Sequence, residues 1–273
     1  MTNDDQTISE VEALLAQLPH FSRPLVRRYF RSGFSVEQKA DDSPVTIADR
    51  TIEAELRSAI KTAFPAHAII GEEEGGQADN PVCWVIDPID GTRAFVIGKP
   101  LFGTLVGVAK DGEPFAGLID MPALDETYLT RNTHSYLITS SARTRLATSS
   151  CQRLQNAQIA TTSPEAFTPD GLARFNRLSR LCRSSHYGGD CYNYALLAAG
   201  HLDIVMEHQL AAHDFMALIP VLEGAGAIVA DWSGQRPHLS GDGSLLVAAT
   251  PELHQAALAS VSEPVSASSG GTV

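Results

Sequence analysis

The chain has 273 residues, 44% of them hydrophobic, and a formal net charge of −12. That is enough apolar material for a sizeable core, as one large domain or two packed subdomains, and the acidic balance argues against nucleic acid as an electrostatic partner. An anionic substrate stays open, because bound cations invert the local field. The four cysteines, Cys83, Cys151, Cys182 and Cys191, show no C-x-x-C spacing. No disulfide framework or zinc site is expected, and a reducing compartment fits. Met1 to Glu10 is polar without an apolar signal core, and no apolar run reaches membrane-spanning length. The expectation is a soluble cytoplasmic protein with no nucleic-acid and no membrane partner.

From Ile8 to Arg31 apolar residues recur at helical spacing (Val11, Leu14, Leu15, Leu18, Leu25, Val26, Tyr29, Phe30), and Pro19 and Pro24 divide the run into two helices. Lys39 to Val45 is polar and loop-like. Ile47, Ile52, Leu56 and Ile60 share one face of a further helix ending before Pro65. Ala68-Ile69-Ile70 then forms a short strand that stops at Glu72-Glu73-Glu74. Val82 to Ile86 repeats the pattern and stops at Asp87-Pro88-Ile89-Asp90-Gly91-Thr92. Pro88 biases Asp87 toward extended backbone, Gly91 permits a tight turn, and Thr92 can open a helix. Phe102 to Ala109 and Pro114 to Ile119 flank Asp111-Gly112, a strong hairpin signal. Glu126 to Thr130 and Tyr136 to Thr139 continue as strands, giving an α+β first half. The polar stretch Thr139 to Ser150 is the candidate boundary.

The second half alternates, which implies an α/β layer. Gln158 to Thr161, Asp203 to Glu207, Ile228 to Asp231 and Leu245 to Ala248 are expected strands. Gly171 to Leu181, the segment from Cys191 to Ala199, Phe215 to Ala225 and Pro251 to Ala259 are expected helices. No internal repeat is present. The Ser/Gly-rich tail after Val261 is expected to be disordered. The expected division is 1–140 as an α+β metal-site subdomain, 141–261 as an α/β substrate subdomain, and 262–273 as the tail.

Two carboxylates at the end of a buried strand are costly unless something positive lies between them. Hard divalent cations such as Mg2+ take carboxylate, carbonyl and water oxygens, and backbone N–H groups at a helix start suit a phosphate. The Asp87 to Thr92 run therefore suggests a metal site beside a phosphate site, with a plain surface turn as the alternative.

Four separated pieces resemble the inositol monophosphatase-like family of magnesium-dependent, lithium-sensitive phosphatases. They are Asp42-Ser43-Pro44-Val45-Thr46-Ile47-Ala48-Asp49, Gly71-Glu72-Glu73, Trp84 to Thr92, and His213-Asp214 followed by Glu223-Gly224-Ala225-Gly226. The resemblance spans roughly Leu14 to Leu253. It implies a layered α/β/α/β/α sugar-phosphatase fold of α/β (α+β) class with two tightly packed subdomains. It also implies a homodimer and two to three Mg2+ ions per site, with Mn2+ an alternative of the same ligand preference. Glu72, Asp87 and the Ile89 carbonyl would hold one ion. Asp87, Asp90 and Asp214 would hold a second, and Glu72 would also serve a third, weaker one. Thr92, with Asp49 as partner, would orient the attacking water. The N–H groups of Gly91 and Thr92 would bind the phosphate, and hydrolysis would be direct, without a phosphoenzyme.

Each residue also has a plainer role: Asp49 as a surface acid early in a helix, Glu72 within a solvated charge run, and Asp214 and Thr92 as helix caps. His186, His201, His208 and His213 share no ligand spacing and are assigned no metal, and Lys39 is left outside the site.

Gly188-Gly189-Asp190-Cys191-Tyr192, the Asp214 to Val221 run with Glu223 to Gly226, and Asp231-Trp232-Ser233-Gly234 resemble the histidinol-phosphate phosphatase branch. The inositol phosphatases instead usually carry a Gly-Ser/Thr-Ala type of segment at Gly188 to Cys191. Asp190 could contact a cationic amine or imidazole, or simply cap the following helix. Glu207 matches the position of an acid facing the substrate's organic half, and it suits an amine or sugar hydroxyls equally. Two departures stand out. Ala211-Ala212-His213 replaces a basic segment with proline and an aromatic residue, and Ala227 replaces a second glycine. The implied reaction is hydrolysis of a small phosphate monoester, with L-histidinol phosphate, from histidine biosynthesis, as first choice. The rivals are an inositol-1-phosphate or broad sugar or nucleotide phosphatase, and a regulatory protein on the same fold.

Overall fold

A computed structural model describes residues 3–32, 36–38 and 44–263. Lys39, the Asp42-Ser43 half of the first motif, and the tail beyond Glu263 lie outside the described residues. Two helices open the chain, α1 (Asn3–Leu15) and α2 (Leu18–Tyr29). The break falls at Ala16-Gln17 and not at the prolines. Pro19 occupies the first turn of α2, where its missing N–H costs nothing, and Pro24 is carried inside the helix.

Strands β1 (Val36–Gln38) and β2 (Pro44–Thr46) pair antiparallel, so the end of the polar segment is strand and not loop. Helix α3 (Ile47–Ala63) follows. Strands β3 (Ala68–Gly71), β4 (Val82–Asp90), β5 (Gly103–Lys110), β6 (Glu113–Met121), β7 (Glu126–Arg131), β8 (His134–Ile138) and β9 (Arg143–Arg145) form a seven-stranded sheet in chain order. Only β3 and β4 run parallel within it. The short helix α4 (Thr92–Val96) leaves the end of β4. Strand β9 is wholly exposed, with no apolar side chain to announce it.

The second sheet has the order β11-β10-β12-β14-β13, from β10 (Gln158–Thr161), β11 (Ser184–Tyr187), β12 (Ile204–Glu207), β13 (Ile228–Ala230) and β14 (Leu245–Ala248). Its helices are α5 (Pro169–Leu181), α6 (Cys191–Ala198), α7 (Ala212–Phe215), α8 (Leu218–Ala225) and α9 (Pro251–Ser262). The expected single helix from Phe215 to Ala225 is two, broken at Met216-Ala217.

Period-two alternation decides the layers. Trp84, Ile86, Val106 and Val108 face Val11, Leu15, Ile52 and Leu56 of the first three helices. Val85, Leu105 and Ile119 face Tyr194, Leu197 and Ile219 of α6 and α8, with Val205 and Val247 of the second sheet on the far side. Ile204, Met206 and Leu246 turn the other way onto Phe175, Leu178, Leu253 and Ala257 of α5 and α9. The result is helices, sheet, helices, sheet, helices.

Candidate functional site

Strands β3 and β4 are parallel, with Gly71 opposite Ile86, so the acids that follow both emerge at the same carboxyl edge. The Glu72 N–H donates to the Ile86 carbonyl at 3.1 Å. Asp87 follows Cys83 and Val85 onto the β4 face that looks toward the middle helices. Simple alternation would send Asp90 to the opposite face. The ladder instead slips: Asp87 lies opposite Leu105 but Asp90 opposite Gly103. One extra residue on β4 brings Asp90 back to the side of Asp87. Pro88, which has no N–H to lose, sits in the irregularity, and its carbonyl accepts from Thr104 Oγ1 at 2.8 Å.

Gly91 then turns the chain into α4 at φ +81°, where a Cβ would also meet Asp190 Cγ at 3.0 Å. Thr92 Oγ1 donates to the Ile89 carbonyl at 3.0 Å. A carbonyl oxygen has two lone pairs, so this bond does not exhaust Ile89.

The second half closes the site. The Cys191 N–H, at the start of α6, donates to Asp90 Oδ2 at 2.7 Å. Asp190 precedes it at φ +48° and makes no side-chain cap of α6, which removes the capping alternative. Asp214 in α7 does cap: its Oδ2 accepts from the Ala211 N–H at 2.7 Å. Donor atoms of Asp87, Asp90 and Asp214 lie within 4.8 Å of one another, and so do those of Glu72, Asp87 and His213.

Asp87 is 2% exposed, and its Oδ1 has no hydrogen-bond partner. Burial pushes its carboxyl well above the usual carboxylate range, and the charges of Glu72, Asp90, Asp214 and Asp49 push the same way. Asp90 is raised by burial and then by Asp190 and Asp214. Such crowding of carboxylates around an orphaned oxygen fits a bound divalent cation, which would reverse each of these shifts. The all-oxygen Asp87, Asp90 and Asp214 group suits Mg2+.

Glu72, Asp90, Asp190, Glu207, His213 and Asp214 line a cavity of about 880 Å³. Asp49 and Asp87 are buried. Glu207, at the end of β12, accepts from Thr161 Oγ1 at 3.0 Å and from the Thr162 N–H at 2.6 Å. Burial nevertheless pushes its carboxyl up to about 7. Asp190 is raised by burial, against the opposing charges of Lys99 and Arg93.

Two residues hold places at the site that the sequence does not assign them: Glu53, which belongs to no motif, and His213, which is assigned no metal. Glu53 in α3 is fully buried. Its carboxylate accepts from Glu73 N–H at 2.7 Å and Glu74 N–H at 3.1 Å, and pairs with Arg57 at 2.8 Å. It anchors the loop that presents Glu72. A carboxylate on the same face as Ile52, Leu56 and Ile60 is the signal that marks it. His213 joins the acids because α7 turns it into the cavity, and its adjacency to Asp214 was the only sequence cue.

The chain matches the inositol monophosphatase family over residues 8–266. It is 39% identical over 272 residues to "Bifunctional phosphatase IMPL2, chloroplastic" of Arabidopsis thaliana, covering 94% of this chain and 76% of that one. It is 33% identical over 228 residues to a histidinol-phosphatase of Mycobacterium tuberculosis, covering 82% and 86%. A solved inositol monophosphatase from Zymomonas mobilis superposes with a TM-score of 0.84 at 35% identity, covering 96% of this chain and 99% of the other.

Proposed function

Since the chain belongs to the inositol monophosphatase family and is a phosphate monoester hydrolase, we propose that its substrate is L-histidinol phosphate, cleaved to L-histidinol and phosphate in histidine biosynthesis. The observation that carries this reading is the further pair of acids, Asp190 and Glu207, on the wall of the cavity that holds the acidic cluster. Asp190 and Glu207 line the cavity together, and the charge of Asp190 adds to the burial that raises Glu207. A substrate with an amine and an imidazole supplies the cations such a pair calls for. The histidinol-phosphatase relative supports the same choice.

Glu72, Asp87 and the Ile89 carbonyl would hold one Mg2+, and Asp87, Asp90 and Asp214 a second, with a third, weaker site on Glu72. When bound, Mg2+ supplies Lewis-acid polarisation of the phosphate and neutralises charge on the attacking and leaving oxygens. The chain does the positioning. Gly91 and Thr92 present backbone N–H groups to the phosphate at the turn into α4. Thr92, with the buried Asp49 as its partner, would orient the attacking water. No side-chain nucleophile is required, so phosphate leaves without a phosphoenzyme. A cytoplasmic location is supported by the four free cysteines, and a homodimer by the family resemblance.

An inositol phosphate is the second reading. Glu207 favours it, because a carboxyl titrating near 7 both donates to and accepts from sugar hydroxyls. Phosphate release from L-histidinol phosphate and from inositol 1-phosphate, side by side with Mg2+ and then with EDTA, decides between them. The expected result is strong, EDTA-sensitive preference for histidinol phosphate, lost in Asp190→Asn. Preference for inositol phosphate overturns the first reading.

A further inference from the structure

The metal cluster contains one group that is not an oxygen donor. A ring nitrogen of His213 lies within 4.8 Å of carboxylate oxygens of both Glu72 and Asp87. Donors around an ion with bonds of about 2.1 Å sit roughly 3.4 Å apart. Small side-chain rotations therefore bring all three onto a common centre. The ring is held at this place by α7, the turn that also carries Asp214, and its Nε2 is 3.7 Å from Asp214 Oδ1. That distance exceeds a hydrogen bond, so the contact does not commit the nitrogen to Asp214. The second observation is independent of the histidine: Asp87, shared by both donor groups, buries an Oδ1 with no partner.

We propose that His213 is a nitrogen ligand of the Glu72–Asp87 metal subsite, so that this subsite binds imidazole-favouring first-row cations such as Zn2+ and Co2+ more tightly than an all-oxygen site would. The chemistry is the ordinary preference of those ions for imidazole, against the oxygen preference of Mg2+. A neutral imidazole in place of a carboxylate also adds a donor without adding to the charge that already crowds Asp87. One consequence is a mixed site, with its Asp87–Asp90–Asp214 half all oxygen and its Glu72–Asp87 half open to borderline metals. The inference rests on Glu72 and Asp87 being cation ligands.

The test uses the full chain stripped of metal and then saturated with Mn2+, read by electron spin-echo modulation. The wild type should show ¹⁴N coupling to Mn2+, and His213→Asn should lose it. Calorimetric titration of the same two proteins should show Zn2+ binding weakened at least about 10-fold by the substitution while Mg2+ binding changes less than about 3-fold. No ¹⁴N coupling in the wild type, or coupling that survives in His213→Asn, overturns the proposal. Hydrolysis with Mg2+ is measured separately. Turnover without nitrogen coupling sinks this inference and leaves the phosphatase reading standing. Coupling without turnover does the reverse.

Discussion

Asp87 is the residue on which both donor groups converge. Its carboxylate is buried among like charges, and its Oδ1 has no partner to compensate the loss of water. Asp87→Asn is therefore expected to lower turnover by at least about 10³-fold, while the melting temperature of the metal-free protein stays level or rises. Substantial turnover at saturating Mg2+ would sink the metal assignment. Glu207 is perturbed for a different reason, burial against a strand end, and titrates near 7 instead of 4.5. A carboxyl raised in the folded state binds its proton more tightly there than when unfolded. Its contribution to stability is present below pH 4.5 and is lost as the pH rises to 7, on the order of 3 kcal/mol at most. Urea unfolding of the wild type against Glu207→Gln across pH 4.5 to 7 checks this, with a flatter profile expected for the variant.

At the scale of elements, the site depends on how closely the α7–α8 junction approaches the first sheet. Gly107 and Gly117 face each other in the β5–β6 ladder. A Cβ at Gly107 would lie 2.7 Å from the Ala217 nitrogen, and one at Gly117 only 2.1 Å from the Ala217 carbonyl oxygen. Both obstacles are backbone and cannot swing away. Gly117→Ala should push the junction outward together with His213 and Asp214. The expected cost is about 2 kcal/mol of stability and on the order of 10²-fold in kcat/KM. Unfolding and steady-state kinetics measure both, and an unchanged kcat/KM would show that the junction does not position the site. Met216 and Ala217, which separate α7 from α8 and keep helical backbone angles, are the residues that meet this glycine pair.

Across the whole molecule, a cation bound at the cluster would couple metal to stability. The first sheet supplies Glu72, Asp87 and Asp90, and the second half supplies Asp190, Glu207, His213 and Asp214. A cation held between them ties the halves together and relieves the repulsion. Mg2+ at 100 times its dissociation constant should add about 2.7 kcal/mol, which for a chain of this size is a rise of roughly 5–10 °C in Tm. Thermal melts with Mg2+ and with EDTA check it, and coincident curves would remove the metal from the fold's account.

Much of this was legible along the chain, because strand ends, turns and acids are local facts. The apolar runs that stop at Glu72 and at Asp87 point to the acidic cluster without any knowledge of contacts, and the layered fold follows from the matching motifs. Strand β9 left no trace, since its residues are all exposed and the sheet recruits it through backbone alone. Other features are beyond any periodicity. The slipped register that turns Asp90 to the side of Asp87 exists only against β5. The burial of Glu53 under the Glu72 loop exists only because α3 packs there. His213 reads as one more scattered histidine until α7 sets it beside acids from β3 and β4. The sequence alone determined which side chains could do the chemistry, because residue type and strand-end position are written locally. Tertiary packing alone decided which of them meet, because pairing register and helix docking depend on partners distant in the chain.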